Sequence, residues 1–514
     1  MTTSATAPSA PGPAIARSSF RGSPAVTLIA MCLGSMITFL QVTATVSALT
    51  TIQRDLRVDA TTVIWIPSAY TLVVASVVLS AATLGNRYGR RRIFSAGVLA
   101  MIAGSAVVAA APTVTWVIIG QLIAGLGGAL ILPNSLAILG AAFTDPHRRT
   151  EVITAWSAAS GIGLAAGPLI AGALLQHHSW HSVFVSTIVL GLVTLVVAAI
   201  GVAESQPSAS RLDVPGLLLG TVAVAAAVYA MIRGGRDGYT SPVVTLAWAA
   251  SAAALIAFVL VELRTSAPML DVRLFRSKSF SAVMVVAAVS LFGFTGVAIL
   301  LVLFQERAQA LSPLDTGWRM LVLFGVYAVA AFGAGRLIRR TGFKAPLTAG
   351  LVLGALASFG LATQGPTTPF DQRWPLLALF GAACALVVAP ATAAALASVA
   401  PAQAGMASGA VNAARQVGSV LGSSLLGTLL TTTMLSDLPE RLAAHQVDAP
   451  TRVAVQAAAA TGATGGQPLP DPVRAALAEA LTSGVQAGLW INGVVFLVTA
   501  VLALTLIRNR PHQH

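Results

Sequence analysis

Apolar residues recur along this chain in runs of about twenty, parted by short polar gaps. A helix rises about 1.5 Å per residue, so a hydrocarbon layer roughly 30 Å thick takes about 20 apolar residues to cross. The runs predict spans near 26–49, 62–84, 93–112, 115–142, 152–175 and 182–202. After a polar break at Glu204 to Asp213, a pair follows near 214–232 and 242–262, and then the charged segment Glu262 to Lys278. Six more lie near 280–304, 315–338, 345–363, 374–400, 405–434 and 485–507. The pattern is that of an all-α polytopic membrane protein of about 14 transmembrane helices, laid out six, two, six. It divides into a leader at 1–25, a bundle at 26–202, two linker helices with their loops at 203–279, and a second bundle at 280–514. The leader, rich in Ala, Ser, Pro and Thr, reads as disordered, and the first span as an uncleaved one. The outer loop at about 435–480, mostly Ala, Gly, Thr and Pro, reads as a mobile surface segment.

Composition agrees with this: 56% of residues are hydrophobic and only 9% charged, too little charge for a water-facing surface. The net charge of +13 would raise nucleic acid as a partner, but apart from the cluster Arg87, Arg90, Arg91 and Arg92 the bases sit singly or in pairs between spans, which excludes that class. With the N-terminus inside, 19 bases fall on the cytoplasmic side and 10 outside, with Arg415 alone within a span. Both termini are then cytoplasmic, and Trp65, Trp116, Trp180, Trp318, Trp374 and Trp490 fall near outer span ends, where indole favours the interface. Cys32 and Cys384 are the only cysteines, so neither a disulfide framework nor a CxxC site is available. His177, His178 and His181 form an HHxxH cluster at an outer turn; lacking a nearby carboxylate, it reads as a polar turn and no metal or other cofactor is expected.

The two six-span halves echo one another. The turn after the second span reads Ala82-Thr-Leu84-Gly-Asn86-Arg87-Tyr-Gly89-Arg90-Arg91, and the turn after the tenth reads Gly335-Arg-Leu337-Ile-Arg339-Arg340-Thr-Gly342-Phe-Lys344. At a constant offset of 253 residues Leu84 meets Leu337, Arg87 meets Arg340 and Gly89 meets Gly342. Transporters are commonly built from such repeats. The fifth span carries Gly163-Leu-Ala-Ala-Gly167-Pro168-Leu-Ile-Ala171-Gly172, small residues that admit a close neighbour beside a proline that bends the helix. The thirteenth carries Gly405-Met-Ala-Ser408-Gly409-Ala-Val-Asn412-Ala-Ala-Arg415-Gln416-Val-Gly418.

The basic turn and span count resemble the major facilitator superfamily. The six, two, six layout and the motifs of spans five and thirteen resemble its fourteen-span drug:proton antiporters over nearly the whole chain. That resemblance implies a major facilitator fold and export of a small amphiphilic drug or natural product across the cytoplasmic membrane by alternating access, coupled to proton antiport. It assigns gating and conformational roles to Asn86, Arg87, Gly89, Arg90, Gly163, Gly167, Pro168, Gly172, Arg340 and Gly342.

Three positions depart from the family pattern. Gln41 in the first span stands where an Asp is usual, Asn86 replaces the Asp of the basic turn, and Gln121 occupies the position of an Arg in the fourth span. Proton antiport needs a group that titrates as substrate binds, and no carboxylate lies mid-span. Glu306, near the outer end of the ninth span, is the first candidate, and a rim carboxylate paired with Arg307 is its plainer reading. An uncoupled facilitator therefore stays open beside the antiporter. Cavity-lining candidates are Gln41, Thr43 and Thr45, Gln121 and Asn134, Tyr327, and Arg415 with Gln416. Each reads equally as an interhelix hydrogen bond. Amides and one arginine suit a neutral or weakly acidic amphiphile better than a permanent cation. The partners expected are that substrate and the lipid bilayer, with the chain acting as a monomer.

Overall fold

The computed structural model describes residues 22–58, 60–63, 65–205, 213–265, 268, 270–399, 403–460 and 469–507, so the leader up to residue 21 lies outside the described residues. The elements are α1 (Pro24–Asp55), α2 (Ala60–Val63), α3 (Trp65–Tyr88), α4 (Arg90–Ala109), α5 (Val114–Ala142), α6 (Pro146–His177), α7 (His181–Gly201), α8 (Val214–Asp237), α9 (Pro242–Arg264), α10 (Lys278–Leu303), α11 (Pro313–Thr341), α12 (Lys344–Ala362), α13 (Phe370–Ala397), α14 (Ala404–Ala444), α15 (Ala449–Ala460) and α16 (Asp471–Leu506). Among the described residues 14 helices are long and apolar enough to cross a membrane, all but α2 and α15. In hydrocarbon the backbone must satisfy itself, and a helix does so within one segment. Below, "inner" denotes the side whose loops carry most of the bases.

Each half has its own core. Phe94, Trp156, Ile131 and Leu136 pack inside the first, and Phe280, Phe324, Tyr327, Phe380 and Phe496 inside the second. The halves meet mainly along two helix pairs, α6 with α11 and α3 with α14, with further contacts of α14 to α5 and of α13 to α6. The linker helix α8 lies on the second of these seams, where Val228 and Met231 join Ala75 of α3 and Val420 of α14. Ser80 bonds Thr221 at 3.0 Å, and Ser424 donates to the Met231 carbonyl at 2.6 Å, so α8 ties to both halves. The α9 helix packs on α8 and shows Leu246, Leu255 and Ile256 outward, as a lipid-facing helix does.

The segment at 435–480 differs from the mobile loop expected of it. The α14 helix continues to Ala444, α15 follows, and α16 starts at Asp471. Leu438, Leu442, Val447, Val455, Val473, Ala476 and Ala480 enclose a small core of their own. Alanine is the best helix former, and leucines four apart share a face, so an Ala-rich stretch that looks featureless as a loop is stable as packed helices.

Candidate functional site

The basic turn sits at the inner end of the α3–α14 seam. Asn86 Oδ1 accepts from Arg90 Nε at 3.1 Å and Nη2 at 2.9 Å, while Arg90 Nη1 donates to the Ala137 carbonyl of α5 at 2.8 Å. The far side of the Asn86 amide meets α14: a Cβ on Gly405 would stand 2.7 Å from Asn86 Nδ2. Gly89, at φ +100°, makes the turn, and Gly342, its echo, ends α11 at φ +76°; both lie in the left-handed region that favours glycine. Arg87 lies in the last turn of α3, and Arg340 is exposed in the last turn of α11. Its neighbour Arg339 pairs with Glu151 of α6, joining the halves. A second joint lies deeper, where Ser408 Oγ donates to the Pro133 carbonyl at 2.9 Å.

The small residues of α6 have two separate tasks. Gly163 and Gly167 admit α1, since added Cβ atoms would stand 2.3 Å from the Met36 carbonyl oxygen and 2.0 Å from Thr43 Oγ1. Gly172 and Pro168 instead meet α11 of the other half, at Leu314 and Gly317. The motif therefore packs α6 against its own bundle and against α11 of the other half at once.

Several expected cavity residues turn out to be bonded inside the first bundle. Gln41 Oε1 accepts from Thr187 Oγ1 at 3.0 Å and Ser105 Oγ at 3.5 Å, and its Nε2 donates to Gln121 Oε1 at 3.4 Å. Gln121 Nε2 donates to Thr45 Oγ1 at 3.0 Å, and Thr45 to the Gln41 carbonyl at 2.7 Å. This network joins α1, α4, α5 and α7. Thr43 sits against Gly167 and bonds back to Phe39 and Leu40. Asn134 Nδ2 reaches the Ala81 carbonyl of α3 at 3.1 Å and the Leu130 carbonyl at 2.8 Å.

What remains at mid-depth between the halves is Arg415. It lies 11 residues into α14, about 16 Å along the helix, and only 2% of it is exposed. Its guanidinium carbon stands 5.7 Å from the ring centre of Trp156 on α6. Trp156 is itself fixed by Nε1 donating to Ser135 Oγ at 3.0 Å. Tyr327 of α11 lies within electrostatic reach of the same guanidinium, stacks on Phe294 with centroids 4.7 Å apart, and presses on Gly161 of α6. Gln416, also buried, follows in sequence. Arg415 Nε and Nη1 are both buried without a hydrogen-bond partner.

A second buried arginine makes the contrast plain. Arg373, near the outer end of α13, donates to Gln364 Oε1 at 2.9 Å, Gln309 Oε1 at 2.7 Å and the carbonyls of Gly365 at 3.1 Å and Thr368 at 3.3 Å. It also lies over Phe304 at 4.7 Å. Arg373 is spent on pinning a loop, whereas Arg415 keeps unspent donors. An uncompensated buried charge costs about 3–5 kcal/mol when its partner is missing, which makes Arg415 a position of unmet demand. Glu306 lies far along from it, in a single π-helical turn at Phe304–Ala308 on the outer end of α10, and is half-buried.

Sequence reasoning missed three residues here. Trp156 carried a signal, a lone indole deep in a span and away from the interface belt. Glu204 in the polar break was read as a break alone; its carboxylate accepts from the backbone N–H of Arg91 and Arg92 at 3.1 Å each and caps α4. Arg373 stands in the gap before the twelfth span, where a lone base reads as an ordinary outer loop charge. At the outer histidine turn, His181 stacks on Trp180, and Trp180 Nε1 donates to Asp55 at 2.8 Å.

The family model described as Major Facilitator Superfamily matches residues 31–423. The chain is 33% identical over 404 residues to the multidrug resistance protein Stp of Mycobacterium tuberculosis, covering 77% of this chain and 74% of that one. It is 30% identical over 510 residues to the tetracenomycin C resistance and export protein of Streptomyces glaucescens, covering 96% and 94%. Among solved structures, the human organic anion transporter MFSD10 (TETRAN) shares the fold with a TM-score of 0.63 at 15% identity, over 93% of this chain and 99% of that one.

Proposed function

Since this chain belongs to the major facilitator superfamily and is a multi-pass plasma-membrane transporter rather than an enzyme, we propose that it exports a small amphiphilic drug or natural product by alternating access at a site around Arg415. Relatives named for multidrug resistance and for tetracenomycin C resistance and export support the drug-export part. The observation that carries the site is the unpaired, buried Arg415 between Trp156 of one half and Tyr327 of the other. A ligand held there touches both halves, so its binding differs between inward and outward states, which is the condition for shifting their balance.

The inner joints, Glu151 with Arg339, Ser408 with Pro133 and Asn86 against Gly405, are the contacts that must part when the site opens inward. Both halves of the proposed site come from one chain, which supports a monomer as the working unit. Proton antiport would use Glu306 as its titrating group, with the coupling carried through α10 to Phe294 beside Tyr327. The uncoupled facilitator is the second reading, and what favours it is that aromatic groups rather than a carboxylate surround Arg415. Uptake into everted vesicles of a panel of antibiotics and dyes, with and without a pH gradient, tests the proposal. Export that rises with a pH gradient and is lost in Glu306→Gln supports antiport, gradient-independent export leaves the facilitator, and no export of any compound by the full chain ends the proposal.

A further inference from the structure

We infer that the substrate occupies the Arg415 site as an aromatic anion, and that its negative charge, carried outward in each cycle, lets the membrane potential drive export. The inference rests on the reading above, that Arg415 belongs to the transport site, and adds the charge of the ligand and the source of the energy.

The groups around Arg415 specify the ligand. Trp156 from α6 and Tyr327 with Phe294 from the second bundle supply flat apolar faces, and Cys384 lies near Tyr327. Among the described residues, the titratable groups beside the guanidinium on these elements are the Tyr327 phenol and, next to it, the Cys384 thiol, with no carboxylate among them. The buried Nε–H and Nη1–H donors have no acceptor. A carboxylate, sulfonate or phenolate on a flat ring would meet those donors and cover the aromatic faces. Arginine stays charged at any working pH, so it selects for charge on the ligand and not for its own protonation state.

The energetics follow from net charge. A bound anion neutralises Arg415, and the empty site carries Arg415 back uncompensated. One negative charge thus leaves per cycle with no proton needed to balance it. A cell interior that is negative favours that step, because moving one elementary charge through a membrane potential does electrical work. Such a cycle explains how the chain works with Gln41 in place of the usual Asp.

The test uses the purified full chain in proteoliposomes, loaded with the same pH on both faces. The probes are 2-naphthalenesulfonate, a fixed anion, its neutral counterpart 2-naphthalenesulfonamide, and N-methylquinolinium, a fixed cation. Valinomycin with a tenfold K+ gradient sets an interior-positive potential. The expected result is uptake of the sulfonate that needs the potential and stops near its electrical limit, about tenfold accumulation of a monovalent ion for that gradient. Arg415→Gln should lower sulfonate uptake by about 30-fold or more, the loss expected when one partner of a buried charged pair is removed. Arg415→Lys should keep the potential dependence at lower affinity. Arg415→Gln removes an unpaired buried charge and so leaves the fold intact, which its unfolding temperature checks. As a readout apart from transport, the sulfonate should quench part of the tryptophan fluorescence in wild type and not in Arg415→Gln. Equal transport of the neutral sulfonamide, or transport indifferent to potential, overturns the inference while leaving the exporter reading in place. Transport of the cation alone overturns the inference on ligand charge, and failure of all three probes to bind or move overturns it together with the assignment of the site.

Discussion

Glu151, in the second turn of α6, forms an ion pair with Arg339, in the last turn of α11, and so closes the inner face between two helices of opposite halves. Its strength is limited by water, since the Glu151 side chain is 55% exposed and that of Arg339 30%. Pairs of this kind contribute up to about 1 kcal/mol, enough to shift a two-state balance about fivefold. Glu151→Arg should therefore favour the inward-open state by up to that factor, and Glu151→Arg combined with Arg339→Glu should restore the wild-type balance. Labelling of a cysteine placed at Ala407, which is fully buried on the same helix as Ser408, measures the opening. Raising the salt concentration should shrink the difference between wild type and the single variant; a difference that ignores both the swap and salt would rule out the ionic latch.

Close approach of α6 to α1 sets a second expectation. A methyl at Gly163 would lie 2.3 Å from the Met36 carbonyl oxygen, and a backbone atom cannot rotate away. Gly163→Ala should cost about 1–3 kcal/mol as overpacking and lower the unfolding temperature of the detergent-solubilised protein. Gly333→Ala is the matched control, because nothing lies within 4 Å of the added carbon on α11. There the change should be neutral or stabilising by up to about 1 kcal/mol, the helix-propensity gain. Equal behaviour of the two variants would show that the small residues of α6 do not serve packing.

The parts legible in the sequence were those set by one local requirement. Twenty apolar residues must span a bilayer, so 14 spans could be read from run length. Gly89 and Gly342 could be paired by their spacing because each turn needs a left-handed residue. What stayed hidden depends on contacts between distant segments. Gln41 and Gln121 are 80 residues apart, and the sequence leaves each equally a ligand contact or an interhelix bond; only the fold brings their amides together. Arg415 was visible as the one charge within a span, yet the indole beside it comes from Trp156 in the other half, which no local pattern announces. The outer segment differs for the opposite reason: its local signal, alanine with leucines four apart at Leu438 and Leu442, is present but shares its composition with a loop.

That outer segment gives a third prediction. Leu438 and Leu442 are fully buried in its small core, and each truncation to alanine should cost about 2–5 kcal/mol there. Limited proteolysis of Leu438→Ala and Leu442→Ala should cut within 449–460 while the spans stay intact. Asp448 adds a pH dependence. The Thr451 side chain and backbone N–H, the latter at 3.1 Å, hold its carboxyl below the ordinary value of 3.8. A depressed carboxyl stabilises above its ordinary value, and the support is lost as pH falls through the lower one. Pepsin cleavage of α15 should thus increase as pH drops below about 4, and Asp448→Ala should be cleaved equally across that window. A cleavage rate in wild type that is flat with pH would exclude the cap.

The final prediction concerns the amide that replaces the usual acid in the first span. Gln41 spends both ends of its side chain on Thr187, Ser105 and Gln121, all within the first bundle, and is 1% exposed. If its task is to hold α1 against α4, α5 and α7, then Gln41→Leu removes three interhelix bonds worth about 0.6 kcal/mol each in a membrane protein. The summed loss, between about 1 and 2 kcal/mol, should appear in the unfolding temperature. Transport should keep its KM, because no ligand contact is lost, and the same holds for Gln121→Leu. Arg415→Gln should do the reverse, raising KM while the unfolding temperature holds or rises, since an unpaired buried charge is removed. A KM that rises in Gln41→Leu with stability unchanged would move Gln41 back among the ligand-facing residues, and the transport site would then have to extend into the first bundle.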